Sequence, residues 1–177
     1  MTKKKKRRGL YIFQILVVIG ILTLLWASFG RSVLEPQQQQ TLVPARLGDL
    51  ELVSAVEGAT ALTQVSQLHG TDITLTAAHI AEYASNNERV TVWMGQAETE
   101  SDAARLNAMM LDGIANGNSP FSNPSPLSVA GHEVFQVDSA SGRHFFYQSQ
   151  EDAKSVIWLE IEAFDTLSVL EQAVTIF

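Results

Sequence analysis

From Leu10 to Phe29 the chain reads LYIFQILVVIGILTLLWASF, with no charge and only Gln14, Thr23 and Ser28 as polar interruptions. A helix of that length rises roughly 30 Å, the hydrocarbon thickness of a bilayer. A helix buried in a soluble domain would keep a polar face, and this one has none. From Arg46 onward the pattern changes to short amphipathic segments. Leu50–Val56 alternates and predicts a strand. Ala61, Leu62, Val65 and Leu68 fall at helical spacing and run into Gly70, a residue suited to following a helix. DITLTAAHIAEYA and ERVTVWMGQA flank Asn86-Asn87 and predict a hairpin, with TAAHIAEYA alone also readable as helix.

Thr99, with Asp102 three residues on, resembles a capping box. It opens a helix with Ala103, Leu106, Met110 and Ile114 on one face, stopped at Asn116-Gly117. A loop, NGNSPFSNPSP, is followed by strands in LSVAGHEVFQVD, RHFFYQS and KSVIWLEIEA. Asp165 caps a last helix whose Leu167, Leu170, Val174 and Phe177 share a face. The predicted order is β-α-β-β-α-β-β-β-α. Hairpins broken by helices argue for an α+β fold, an antiparallel sheet with its helices packed on one face, preceded by a single N-terminal transmembrane helix.

The charge distribution orients that helix. Lys3, Lys4, Lys5, Lys6, Arg7 and Arg8 precede it, which by the positive-inside rule keeps the amino terminus in the cytoplasm. Tyr11 and Trp26 sit near its two ends, where amphipathic aromatics favour the membrane interface. Leu10, Tyr11, Trp26 and Phe29 therefore mark the anchor. A cleaved signal peptide would have a shorter apolar region and a small-residue cleavage site, and Ser28-Phe29-Gly30 fits that poorly. The expected organisation is a cytoplasmic basic tail over 1–9, a transmembrane signal-anchor over 10–29, a tether over 30–45 rich in Gln and Pro, and an extracytoplasmic, periplasmic-type domain over 46–177.

Beyond residue 29 six basic residues face nineteen acidic ones, a net charge of −13. So acidic a domain repels phosphate backbones, which argues against nucleic acid as a partner. With no cysteine, disulfides, thiolate metal sites and cysteine nucleophiles are excluded.

Four histidines are the remaining candidates for chemistry. His132 and His144 flank the hairpin around Ser139-Ala140-Ser141-Gly142. Pairing Asp138 with Arg143 sets Val137 opposite His144 and Phe135 opposite Phe146. The two imidazoles then project from opposite faces and cannot share a metal. His69 closes a helix, where the carboxyl-terminal dipole favours it. His79 pairs with Met94 through the Asn86-Asn87 turn, beside Ala81–Val92 and Tyr83–Val90. That His/Met neighbourhood is the one hint of haem, but cross-strand neighbours cannot take opposite sides of an iron.

No nucleophile-elbow, zincin, P-loop or dinucleotide motif occurs. Glu160 and Glu162 share a strand face at roughly 7 Å, a spacing near that of glycosidase carboxylates, although a solvated strand face accounts for it more simply. Trp158 lies with them on what reads as the outer face. Phe121 sits in the proline-rich loop. Phe121, Trp158, Glu160 and Glu162 form the candidate contact surface. No catalytic, cofactor or metal residue is assigned. The sequence points to a non-enzymatic accessory, assembly or stabilising subunit of a membrane complex, with the lipid bilayer and a membrane-complex protein as partners. The competing expectation is an extracytoplasmic binding module for haem, a metal or a small apolar ligand held between sheet and helices.

Overall fold

The computed structural model describes residues 43–69, 74–140 and 142–177. The basic tail 1–9, the apolar stretch 10–29 and the tether up to residue 42 lie outside the described residues. Among those described, no helix is long and apolar enough to cross a membrane.

In chain order the elements are β1 (Arg46–Leu47), β2 (Leu50–Glu57), α1 (Gly58–His69), β3 (Ala77–Ser85), β4 (Glu88–Gln96) and α2 (Glu100–Ala115). There follow β5 (Ser122–Val129), β6 (His132–Ser139), β7 (Gly142–Gln148), β8 (Ser155–Glu162) and α3 (Thr166–Ile176). The strands form one open antiparallel sheet in the order β1-β2-β3-β4-β8-β7-β6-β5. After β4 the chain passes through α2 to the far edge and returns by three hairpins until β8 pairs with β4.

Local chemistry explains most of these boundaries. Asn86, at φ 50, turns β3 into β4, and the segment that could have been helical is strand β3. Thr99 Oγ1 accepts the Asp102 N–H at 3.1 Å and starts α2. Asp165 does the same for α3 by accepting the Ser168 N–H at 3.1 Å.

Two strands were not expected. β1 is too short to leave a period. LSVAGHEVFQVD, read as one strand, is two, because Ala130 and Gly131 take φ 50 and 85 and reverse the chain. β5 extends back into the proline loop through Pro124 and Pro126. Proline breaks a sheet interior but is tolerated on an edge strand, and β5 is the edge.

The helices do not share one face. On β8, Ile157, Leu159 and Ile161 look one way into a cluster with Leu170, Ala173, Val174 and Phe177 of and beside α3. Val156 and Trp158 look the other way, toward α1 and α2. A strand apolar on both sides needs cover on both, which the sequence reading of an outer face on β8 overlooked. Both edge strands, β1 and β5, contact α3, as β8 does, so the sheet curls about this helix. Tyr147, fully buried, donates its hydroxyl to Ala173 O at 3.2 Å. Tyr83 donates to Pro44 O at 3.0 Å, and burial pushes its phenol up to about 12. Val43 is buried too, so the packed body reaches into residues assigned to the tether. In α3 the inward face is Leu170, Ala173 and Val174, continued by Phe177 just past its end. Leu167, expected on that face, is 58 % exposed, while Val169 of the same turn packs against the cluster.

Candidate functional site

The face under α2 holds an aromatic cluster built by strand register. Phe135 pairs with Phe146, and Phe146 with Trp158. Their rings stack, Phe135 on Phe146 at 5.3 Å and Phe146 on Trp158 at 5.3 Å, the latter pair within 7° of parallel. Phe121 folds back from the loop onto Trp158, with centroids 4.6 Å apart, and meets His144 at 5.0 Å.

His144 sits beneath this cluster, 4 % exposed. Trp158 Nε1–H donates to its Nδ1 at 3.2 Å. An indole nitrogen can only donate, so Nδ1 is the acceptor and the neutral ring carries its proton on Nε2. That N–H faces Ser139 Oγ at 2.9 Å, and the Ser139 hydroxyl donates to Gly142 O at 3.2 Å. The chain Trp158 → His144 → Ser139 → Gly142 thus runs in one direction with every donor matched. Burial lowers the His144 pKa below 6.5. The Glu160 carboxylate, 3.8 Å from Nε2, opposes this more weakly.

Serine, histidine and glutamate in contact invite comparison with a catalytic triad. The geometry is wrong for one. Serine and carboxylate both face Nε2, whereas a triad places the acid at the other nitrogen. Nε2 carries the proton it would need to accept, and the serine proton is already directed at a carbonyl.

Between this cluster and α2 lies a cavity of about 330 Å³. Trp93 and Trp158 form its sheet wall, Met109, Met110, Gly113 and Ile114 its helix wall, and the 118–121 loop its rim. Among the described residues no ionisable side chain lines it. Trp93 and Trp158 are direct cross-strand partners.

Of the residues singled out from sequence, Phe121 and Trp158 are brought together, but as half-buried walls of a cavity rather than an outer surface. Glu160 shares their face and stands opposite His144. Glu162 does not join them. It is exposed at the sheet end, opposite Arg89. Leu10, Tyr11, Trp26, Phe29 and the Lys3–Arg8 cluster lie outside the described residues. The register that separates His132 from His144 is as expected, with Val137 opposite His144 and Asp138 opposite Arg143. His79 stands opposite Met94, and its buried Nδ1 makes no hydrogen bond among the described residues, lying 4.0 Å from Glu57 Oε1. Among the described residues no three His, Asp or Glu side chains gather as a metal-binding group.

Two features were missed. Ser139 follows Val137 by two residues, so it is a diagonal neighbour of His144, and the hairpin register already implied this. Phe164 is the second. It is fully exposed on the turn between β8 and α3, Leu167 in the first turn of α3 being exposed as well, and no periodicity marks a residue that packs on nothing. Comparison with family models, curated proteins and solved structures gives no match to this chain.

Proposed function

We propose that the chain is a single-pass membrane protein whose extracytoplasmic α+β domain acts as an accessory or assembly subunit through protein contacts. The contact surface is the tip formed by Phe164 and Leu167, in place of the Trp158 face. The observation that carries this reading is the exposure of two large apolar side chains on a backbone that is fixed in place. Phe164 N–H donates to Glu88 Oε1 at 2.9 Å, the Thr166 hydroxyl donates to Ala163 O at 3.1 Å, and Asp165 caps the following helix. A rigid apolar anchor loses little freedom on docking, which is what contact hot spots share. The apolar stretch 10–29 supports a membrane setting, and the acidic surface supports a partner that is not nucleic acid.

The test is purification of the full chain from membranes in mild detergent, with and without the double change Phe164→Ala and Leu167→Ala. The reading expects a partner that co-migrates with the wild type and is lost from the variant, while the unfolding midpoint stays put. A monomer in both cases, or a partner retained by the variant, would sink it.

A further inference from the structure

The end of α2 is a Schellman arrangement. Gly117 N–H donates to Ile114 O at 3.1 Å and Asn118 N–H to Gly113 O at 2.9 Å. Gly117, at φ 73, supplies the left-handed residue that this ending needs. Such an ending is usually closed by an apolar contact between the two positions held here by Gly113 and Asn118. In this chain one is a glycine and the other an amide, and both border the cavity.

Nothing local demands the glycine. Gly113 is not among the positive-φ residues, and a Cβ placed on it would meet nothing within 4 Å. Glycine is among the least favourable residues within a helix. What Gly113 preserves is open space along the helix wall of the cavity.

We propose that this cavity is a binding site for a small, uncharged, planar apolar molecule, admitted past Gly113 and Asn118. The volume of about 330 Å³ lies at the small end of ligand pockets, enough for about one or two fused rings. Its walls are two indoles, two thioethers and a phenyl ring, surfaces that favour flat apolar groups. Trp158 offers only carbon to the ligand, because its N–H is committed to His144. The ring is also held in place, stacked on Phe146 and covered by Phe121. A charged ligand would find no counter-charge in the lining and would lose its hydration. Asn118 and Ser119 at the rim supply hydrogen bonds for one polar substituent. This site is separate from the Phe164–Leu167 tip, and either assignment can fail without the other.

The experiment uses the full chain in lipid nanodiscs with ¹³C-methyl methionine, empty nanodiscs serving as the partition control. Met109 and Met110 line the cavity, while Met94 packs with the α3 cluster on the opposite face and acts as an internal reference. Titration with 2-naphthol is expected to shift Met109 and Met110 and leave Met94 still. The anion 2-naphthoate, of nearly the same shape, is expected to bind at least about tenfold more weakly. Gly113→Leu, whose side chain would project into that space, is expected to lose about tenfold or more in naphthol affinity, with the Met94 signal unchanged as proof of folding. Equal shifts at Met94, equal affinity for naphthoate, or undiminished binding by Gly113→Leu would each overturn the assignment.

Discussion

Under α3 the sheet is lined by Leu159, Val90, Val92 and Tyr147, all at or near zero exposure, and α3 fills the space with Leu170, Ala173 and Val174. Under α1 and α2 the inward residues are often small, with Ala61, Ala78, Ala97 and Ala103 prominent, and the aromatic patch farther along carries a buried histidine and an open cavity. One face is a filled core. The other is a polar-stitched surface with a hole in it. Both are read by the same strands, so the difference lies in which helix residues answer them. Close packing throughout would place a large side chain at Gly113, and the chain has none there.

Large-to-small substitutions test this contrast first, because their effects are largest. Leu159→Ala removes a fully buried side chain from the filled face, and a loss of about 2–5 kcal/mol is expected. Ile114→Ala on the other face should fall near the bottom of that range, because Ile114 already borders empty space and relaxation there is easier. Urea unfolding of the two variants measures the difference. Equal losses would mean that the faces are packed alike.

Titration tests the histidine-bearing face next. His144 has a folded pKa below the ordinary 6.5, with burial as the main cause. Below 6.5 the unfolded chain binds a proton that the folded one refuses, so stability is full above that pH and declines as pH falls through the folded pKa. Asp152 behaves likewise lower down. The Ser155 hydroxyl bond, with those of Gln96 and the Lys154 N–H, holds its carboxyl below 3.8, so its contribution is present above that value and lost in stronger acid. His144→Gln keeps an acceptor for Trp158 and a donor for Ser139 without titrating. The variant should lose the decline that begins near 6.5 and retain the one below 3.8. If the upper decline persists, His144 is not its source.

How far the sequence foretold these faces depended on the range of the interactions. Hairpin parity put His144 with Phe135 and Phe146, because a tight turn fixes the register of its own two strands. It could not reach Trp158, because β7 and β8 are joined through residues 149–154, whose length sets no register. Trp158 and Glu160 therefore looked outward, although the strand carrying them is covered on both sides. β5 was hidden for a different reason. Its prolines oppose a strand, and only its edge position, a property of the whole sheet, makes them acceptable. Phe164 left no trace, since exposure of an apolar residue is the absence of a contact. The caps at Thr99 and Asp165 were legible because each is settled within four residues.

The smallest effect bears most directly on the open cavity. Gly113→Ala adds one methyl group that meets nothing within 4 Å, at a helical position with no positive φ. Alanine loses less backbone freedom than glycine, so the variant should be more stable than the wild type by about 0.5–1 kcal/mol. The gain should appear as a raised urea midpoint with an unchanged slope. A gain of that size would mean that the wild-type chain keeps a residue that weakens its own helix in the wall of an aromatic-lined cavity. A loss instead would place Gly113 under a steric or backbone demand, and the openness of this face would then be a by-product of how α2 ends.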